Sequence, residues 1–220
     1  AANNFLTVAG LELSTLVESD TRTRVSILLK ANAQITKDFS VFWSQTIGRK
    51  DKLKLECDVQ TYGEENAEKA GKKYLVFWVS DGLNKLYPKQ RSQGVRWFVS
   101  FYLQLKASEM ESATRLFLLD EPGANLHSKA QTDVIKLIND LSRDIPIVYS
   151  THIPHMLEYD KLYRTLAVQR RGEEDDSPTE IKPAHELGAA STDTLSPVLT
   201  SMGADLANQE VIKKKNNVLL

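Results

Sequence analysis

Two short apolar runs, Leu116-Phe117-Leu118-Leu119 and Ile145-Pro146-Ile147-Val148-Tyr149, flank a stretch whose apolar residues recur at helical spacing. Neither run alternates with polar residues as a strand with one wet face does, so both read as strands covered on both sides. Ala130, Val134, Leu137, Ile138 and Leu141 supply the helical stripe between them. Strand, helix, strand in that order asks for a parallel pair joined by a crossover helix. The alternation extends outward: Val95, Phe98, Val99 and Tyr102 mark a helix beginning near Ser92, and Tyr163 to Val168 a further strand. This part of the chain is expected to be α/β with a mostly parallel sheet.

The preceding part has a different pattern. From Thr21 to Thr46, residues Val25, Leu28, Leu29, Ile35, Phe39, Phe42 and Trp43 fall on one face of a long helix, with Asn32 as a polar break. Leu53 to Tyr62 alternates as a half-buried strand, and Tyr74 to Val79 is a stronger one. The charged stretch Glu64 to Lys73, with Gly63 and Gly71, reads as the tip of the hairpin joining them. Residues 171–183 are acidic with two prolines, a solvated loop or hairpin. The tail from Thr192 to Leu220 reads as two short helices and an opening strand. The chain starts in a helical pattern without Met and closes on Asn217-Val218-Leu219-Leu220, so it reads as an excerpt of a longer polypeptide.

Composition narrows the classes of function. At 220 residues, 41% hydrophobic and 26% charged, the chain can build one sizeable core or two small ones. A net charge of -1 gives no overall basic field for nucleic acid, though a local patch stays open. The single cysteine, Cys57, excludes an internal disulfide and a cysteine metal cluster, and beside Leu55 and Val59 it reads as a small strand residue. No stretch reaches the ~18 apolar residues of a membrane span, and no secretory pattern opens the chain. A cytoplasmic protein with no membrane partner is expected.

The chemistry-bearing residues lie at strand and helix ends. The first apolar run closes on Asp120-Glu121-Pro122, placing two carboxylates at the carboxyl edge of a sheet, where α/β proteins bind ligands. In phosphoryl transfer one acid can hold Mg²⁺ while the other orients and deprotonates water; an acidic lead-in to the next helix is the plain alternative. Ser92-Gln93-Gly94 opens a helix whose free N–H groups and positive dipole end suit an anion, or serve simply as a cap. Ser150-Thr151-His152 follows the second strand, where His152 could contact a phosphate or be structural. His127, after Pro122-Gly123-Ala124-Asn125-Leu126, reads equally as a functional residue or as a solvated helix start. Arg91, Arg96 and Lys89 could meet phosphate or pair with acids. Trp97, Phe98, Phe101 and Tyr102 at helical spacing read as core in preference to a base-stacking platform.

The order of these motifs resembles the ABC ATPase family over roughly Tyr74 to Leu157. Ser92 to Val95 match its signature loop, Leu116 to Glu121 its Walker B strand, and His152 its switch histidine. The resemblance implies the C-terminal portion of an ABC-type, RecF/SMC-like P-loop ATPase: a mostly parallel sheet with an antiparallel strand pair, plus a long N-terminal helix. It implies ATP and Mg²⁺, with Asp120 on the metal, Glu121 and His152 catalytic, and Ser92, Gln93 and Gly94 binding the nucleotide of a partner subunit. More narrowly, the run Arg91 to Tyr102 is similar to the OLD (overcoming lysogenization defect) family, which pairs such an ATPase with a TOPRIM nuclease domain. Leu195 to Leu199, Met202 to Ala207 and Asn216 to Leu220 resemble the connector into that nuclease. The expected domains are therefore 1–183, ATPase, and 184–220, a helical connector and first strand leading toward TOPRIM. The implied setting is DNA processing in anti-phage defence by a homodimer or higher oligomer, with DNA and a defence-system protein as partners. A RecF/SMC-like DNA-repair ATPase without nuclease, or a non-hydrolysing dimerisation and sensing platform, are the alternatives. No G-x-x-x-x-G-K-[ST] loop occurs; Gly48-Arg49-Lys50 and Gly71-Lys72-Lys73 lack both the leading glycine and the hydroxyl residue. The chain alone is accordingly expected to be inactive.

Overall fold

A computed structural model describes residues 2–47, 51–65, 67–110, 115–171 and 177–184. In chain order the elements are α1 (Ala2–Ala9), α2 (Leu13–Glu18), α3 (Thr21–Phe42), β1 (Thr46–Ile47), β2 (Asp51–Lys52), β3 (Lys54–Thr61), β4 (Lys73–Ser80) and β5 (Lys85–Leu86). Then follow α4 (Gln93–Glu109), β6 (Phe117–Leu119), α5 (Ser128–Leu141), β7 (Ile147–Tyr149), β8 (Leu166–Arg170) and β9 (Thr179–Pro183). The chain divides into two compact units, residues 1–149 and 150–220. The α/β class stands, with parallel and antiparallel pairing both present.

In the first unit, Asp20 fixes where α3 begins, its carboxylate accepting from the N–H groups of Arg22 and Thr23 at 2.9 and 3.0 Å. Leu28, Ile35, Phe39 and Phe42 are buried as the spacing predicts, whereas Val25 and Leu29 face solvent. A 22-residue helix covers more than one neighbour needs, and its apolar stripe is narrower than the sequence pattern. The polar break has a use. Asn32 donates to the Cys57 carbonyl at 3.0 Å and accepts from the Cys57 N–H at 2.9 Å. One turn on, Thr36 makes the same double contact with Leu55, at 3.0 and 3.1 Å. Four helical residues advance about 6 Å and two strand residues about 6.8 Å, so the helix matches the strand step for step.

Strand β3 pairs antiparallel with β4, and β4 with the short β5. Their inner face and α3 meet α4 across an aromatic cluster: Phe39 stacks on Trp43 at 6.2 Å and meets Phe98 and Tyr102 edge-on at 5.9 and 5.2 Å. Phe98 and Tyr102 are thus core, as the spacing predicts. Trp97 and Phe101 instead stack on each other at 4.7 Å and stay half-exposed. Cys57 is buried, and burial pushes its thiol up to about 12, in keeping with a packing residue.

Strands β6 and β7 form the expected parallel pair, with Leu118 opposite Val148. They are not covered on both sides: Leu116, Leu118 and Val148 are 57%, 72% and 59% exposed. The unbroken apolar pattern anticipates a second covering layer that the described residues do not supply. In the second unit, Tyr159–Arg164 winds as a 3₁₀ segment, so the strand expected from Tyr163 begins only at Leu166. It pairs antiparallel with β9. The connector expected over residues 184–220 lies, apart from Ala184, outside the described residues.

Candidate nucleotide site

β6 delivers Asp120 to its carboxyl end, exposed, and the chain then turns sharply. Glu121 adopts φ 46, the left-handed region, and it is the sole non-glycine residue to do so among the described residues. Such a conformation costs a side-chain-bearing residue about 1–2 kcal/mol. Gly123, at φ 86, completes the turn without that cost. The Glu121 side chain is half-buried, with Oε2 shielded from solvent.

The turn is locked from below by α5. Gln131, buried, donates its amide to the carbonyls of Gly123 and Leu126 at 3.3 and 2.8 Å. His127 is the N-cap of α5, its Nδ1 accepting from the Ala130 N–H at 3.2 Å. His127 thus stands at a solvent-exposed helix start. Neither Gln131 nor its role was legible beforehand, although a polar residue inside an otherwise apolar helical stripe is the available signal. Asp133, also buried, accepts from the Ser44 N–H at 3.0 Å and ties α5 to the end of α3.

Ser92 caps α4, with Oγ 3.5 Å from the Val95 N–H. Ser92 and Gln93 are exposed, and as first-turn residues Gln93 and Gly94 have N–H groups with no helical acceptor. A Cβ placed on Gly94 would lie 3.2 Å from Leu126 Cδ2. Glycine here therefore admits the turn after Glu121, a reason beyond leaving room for an anion. Arg91, just before the cap, meets no phosphate-facing surface. It is buried against Asp81 at 2.8 Å and donates through Nε to the Val79 carbonyl at 3.0 Å. The Arg91 guanidinium holds the Asp81 carboxyl down at about 2.

At their far ends the two helices meet again, where Lys106 of α4 contacts Asp140 of α5 at 3.1 Å. With Gly94 against Leu126 at one end and this pair at the other, α4 and α5 run in the same direction. Both positive dipole ends then open on the edge where β6 ends in Asp120 and Glu121. The structure thus gathers Ser92, Gln93, Gly94, Asp120 and Glu121 into one region of the first unit. His152 is exposed just beyond β7 and belongs to the second unit. Among the described residues, no three acids, histidines or cysteines cluster as a metal cage.

Residues 10–158 match the family model described as AAA domain, putative AbiEii toxin, Type IV TA system. The chain belongs to this family. This AAA-family ATPase domain is also 25% identical over 122 residues to an uncharacterised protein of Methanocaldococcus jannaschii, covering 54% of the chain and 30% of that protein. It therefore spans under a third of that relative's length. Among solved structures it is similar to one described as structural biochemistry of ATP-driven dimerization and DNA stimulated activation of SMC ATPases. There the TM-score is 0.46 and identity 13%, over 87% of this chain and 99% of that one. It is similar also to the Smc head domain with a coiled coil and joint from Pyrococcus yayanosii, with TM-score 0.47 and 17% identity, over 83% and 31%. No helix of the AAA domain, among its described residues, is long and apolar enough to cross a membrane.

Proposed function

We propose that this domain carries the hydrolytic half of an ABC-type ATPase site, with Glu121 as general base. The observation that carries the reading is Glu121 itself, an acid held in a left-handed turn directly after a strand-terminal Asp. Backbone strain of this kind is kept where geometry matters more than local stability. Asp120 is the carboxylate available to Mg²⁺, which when bound neutralises phosphate charge. Glu121 accepts a proton at Oε from the water that attacks the terminal phosphate. Ser92 and the N–H groups of Gln93 and Gly94 bind the same phosphate of a nucleotide held by a second subunit, and His152 contacts the γ-phosphate of its own.

These 220 residues carry no G-x-x-x-x-G-K-[ST] loop, so this reading requires the ATP grip to come from another segment. The work coupled to hydrolysis is DNA processing in an OLD-like assembly with a TOPRIM nuclease, in anti-phage defence; this part of the proposal rests on the resemblance of the Arg91 to Tyr102 run. ATP hydrolysis by the full-length polypeptide, beside its Glu121→Gln variant, tests the core of the proposal. The variant is expected to retain ATP binding and lose turnover by about 100-fold or more. Equal turnover in the two proteins would remove Glu121 from the chemistry.

A further inference from the structure

A second cavity lies in the first unit, behind the start of α4 and away from Glu121. It has a volume of about 310 Å³ and opens between α1, β4 and α4. Phe5, Phe77, Trp78 and Leu103 form apolar walls, while Lys89 and Arg96 stand among the lining residues, none of which is acidic. Arg96 is exposed and makes no ion pair among the described residues. Among the described residues Lys89 meets the face of Tyr87, 5.9 Å from its ammonium to the ring centre. The volume sits at the small end of the range for ligand pockets, and an apolar cleft with few charged groups is their usual make-up.

We infer that this cleft binds a small amphipathic monoanion, a carboxylate on an apolar body of medium-chain size. The apolar body lies against the half-buried rings of Phe77 and Trp78, removing their exposed surface from water, with the buried Phe5 and Leu103 behind them. The carboxylate meets Lys89 and Arg96, the latter offering a guanidinium fork suited to bidentate contact. Charge and apolar complementarity together select the occupant: an apolar molecule without a charge leaves both cations unanswered, and an anion without an apolar body leaves the walls wet. Neither cation is assigned to nucleotide, so this site stands independently of the ATPase proposal.

Octanoate and 1-octanol, which share a body and differ in charge, are the probes. Titration calorimetry and ¹H–¹⁵N shift mapping on the 220-residue chain should detect octanoate, with shifts at Phe5, Phe77–Val79 and Lys89–Leu103, and weaker binding of octanol. Arg96→Gln should weaken octanoate about tenfold and leave octanol unchanged. Ser100→Phe, an exposed lining position whose enlargement fills the cleft, should abolish both while far-UV circular dichroism and thermal midpoint stay as in the parent. Absence of octanoate binding overturns the inference. So do equal affinities for the two probes, or shifts that map elsewhere and survive Ser100→Phe.

Discussion

Glu121 is held against its own backbone preference. In the left-handed region a Cβ crowds the following carbonyl, and glycine escapes that penalty. Glu121→Gly should therefore raise the thermal midpoint, by about 2–4 °C for about 1 kcal/mol in a chain of this size, while removing the carboxylate. Glu121→Gln keeps the strain and should leave the midpoint where it is. Calorimetry of the pair checks this, and a lowered midpoint in the glycine variant would show that the side chain's contacts outweigh the strain. Asp81 belongs at the same scale. Its carboxyl is held near 2 chiefly by the Arg91 hydrogen bond, below the ordinary value of about 4. A lowered folded-state value contributes stability that is complete above pH 4 and drains away as pH falls toward 2. Asp81→Asn should flatten the fall in thermal midpoint over that window; an unchanged acid slope would assign the loss to other carboxylates.

Element by element, the sequence was read well where periodicity and packing agree. The existence of α3, β3, β4, α4 and α5 followed from apolar spacing, and Ser92 from its place ahead of a stripe, although α3 ends at Phe42 and Thr46, expected at the end of that helix, lies in β1. It was read poorly where side chains answer backbone groups across elements. Asn32 looked like a defect in α3, yet with Thr36 it satisfies the free edge of β3 at Leu55 and Cys57. Gln131 similarly interrupts an apolar stripe in order to hold the Glu121 turn. No single-chain pattern encodes these, because the partner is a peptide group with no residue identity. The motif residues Asp120, Glu121, Ser92 and Gly94 were legible from their order; the left-handed turn and the Gly94–Leu126 contact were not. Asn32→Ala should cost about 2 kcal/mol, the penalty for leaving a part-buried N–H and C=O unanswered. Denaturant unfolding measures it, and a change under 0.5 kcal/mol would mean that water replaces the amide freely.

For the whole molecule, the open face of the β6–β7 pair is the conspicuous surface. Leu118 and Val148 are register partners on it, with Leu116 alongside, and adjoining exposed apolar residues on a sheet invite association. Without nucleotide, the isolated chain should self-associate as concentration rises in light scattering. Leu118→Lys should suppress this at an unchanged thermal midpoint; a mass independent of concentration in the parent would show that the strip is not adhesive.

The tethering of α4 has a mechanical meaning. Gly94 lies close to Leu126, where one further carbon would stand 3.2 Å from Cδ2, and Lys106 is tied to Asp140 at the opposite end. A rod pinned to its neighbour at both extremities can shift sideways with it but has no pivot about which to swing. A displacement of the Glu121 turn is therefore expected to be felt at Ser92, because the two ends of α4 lean on the turn and on α5.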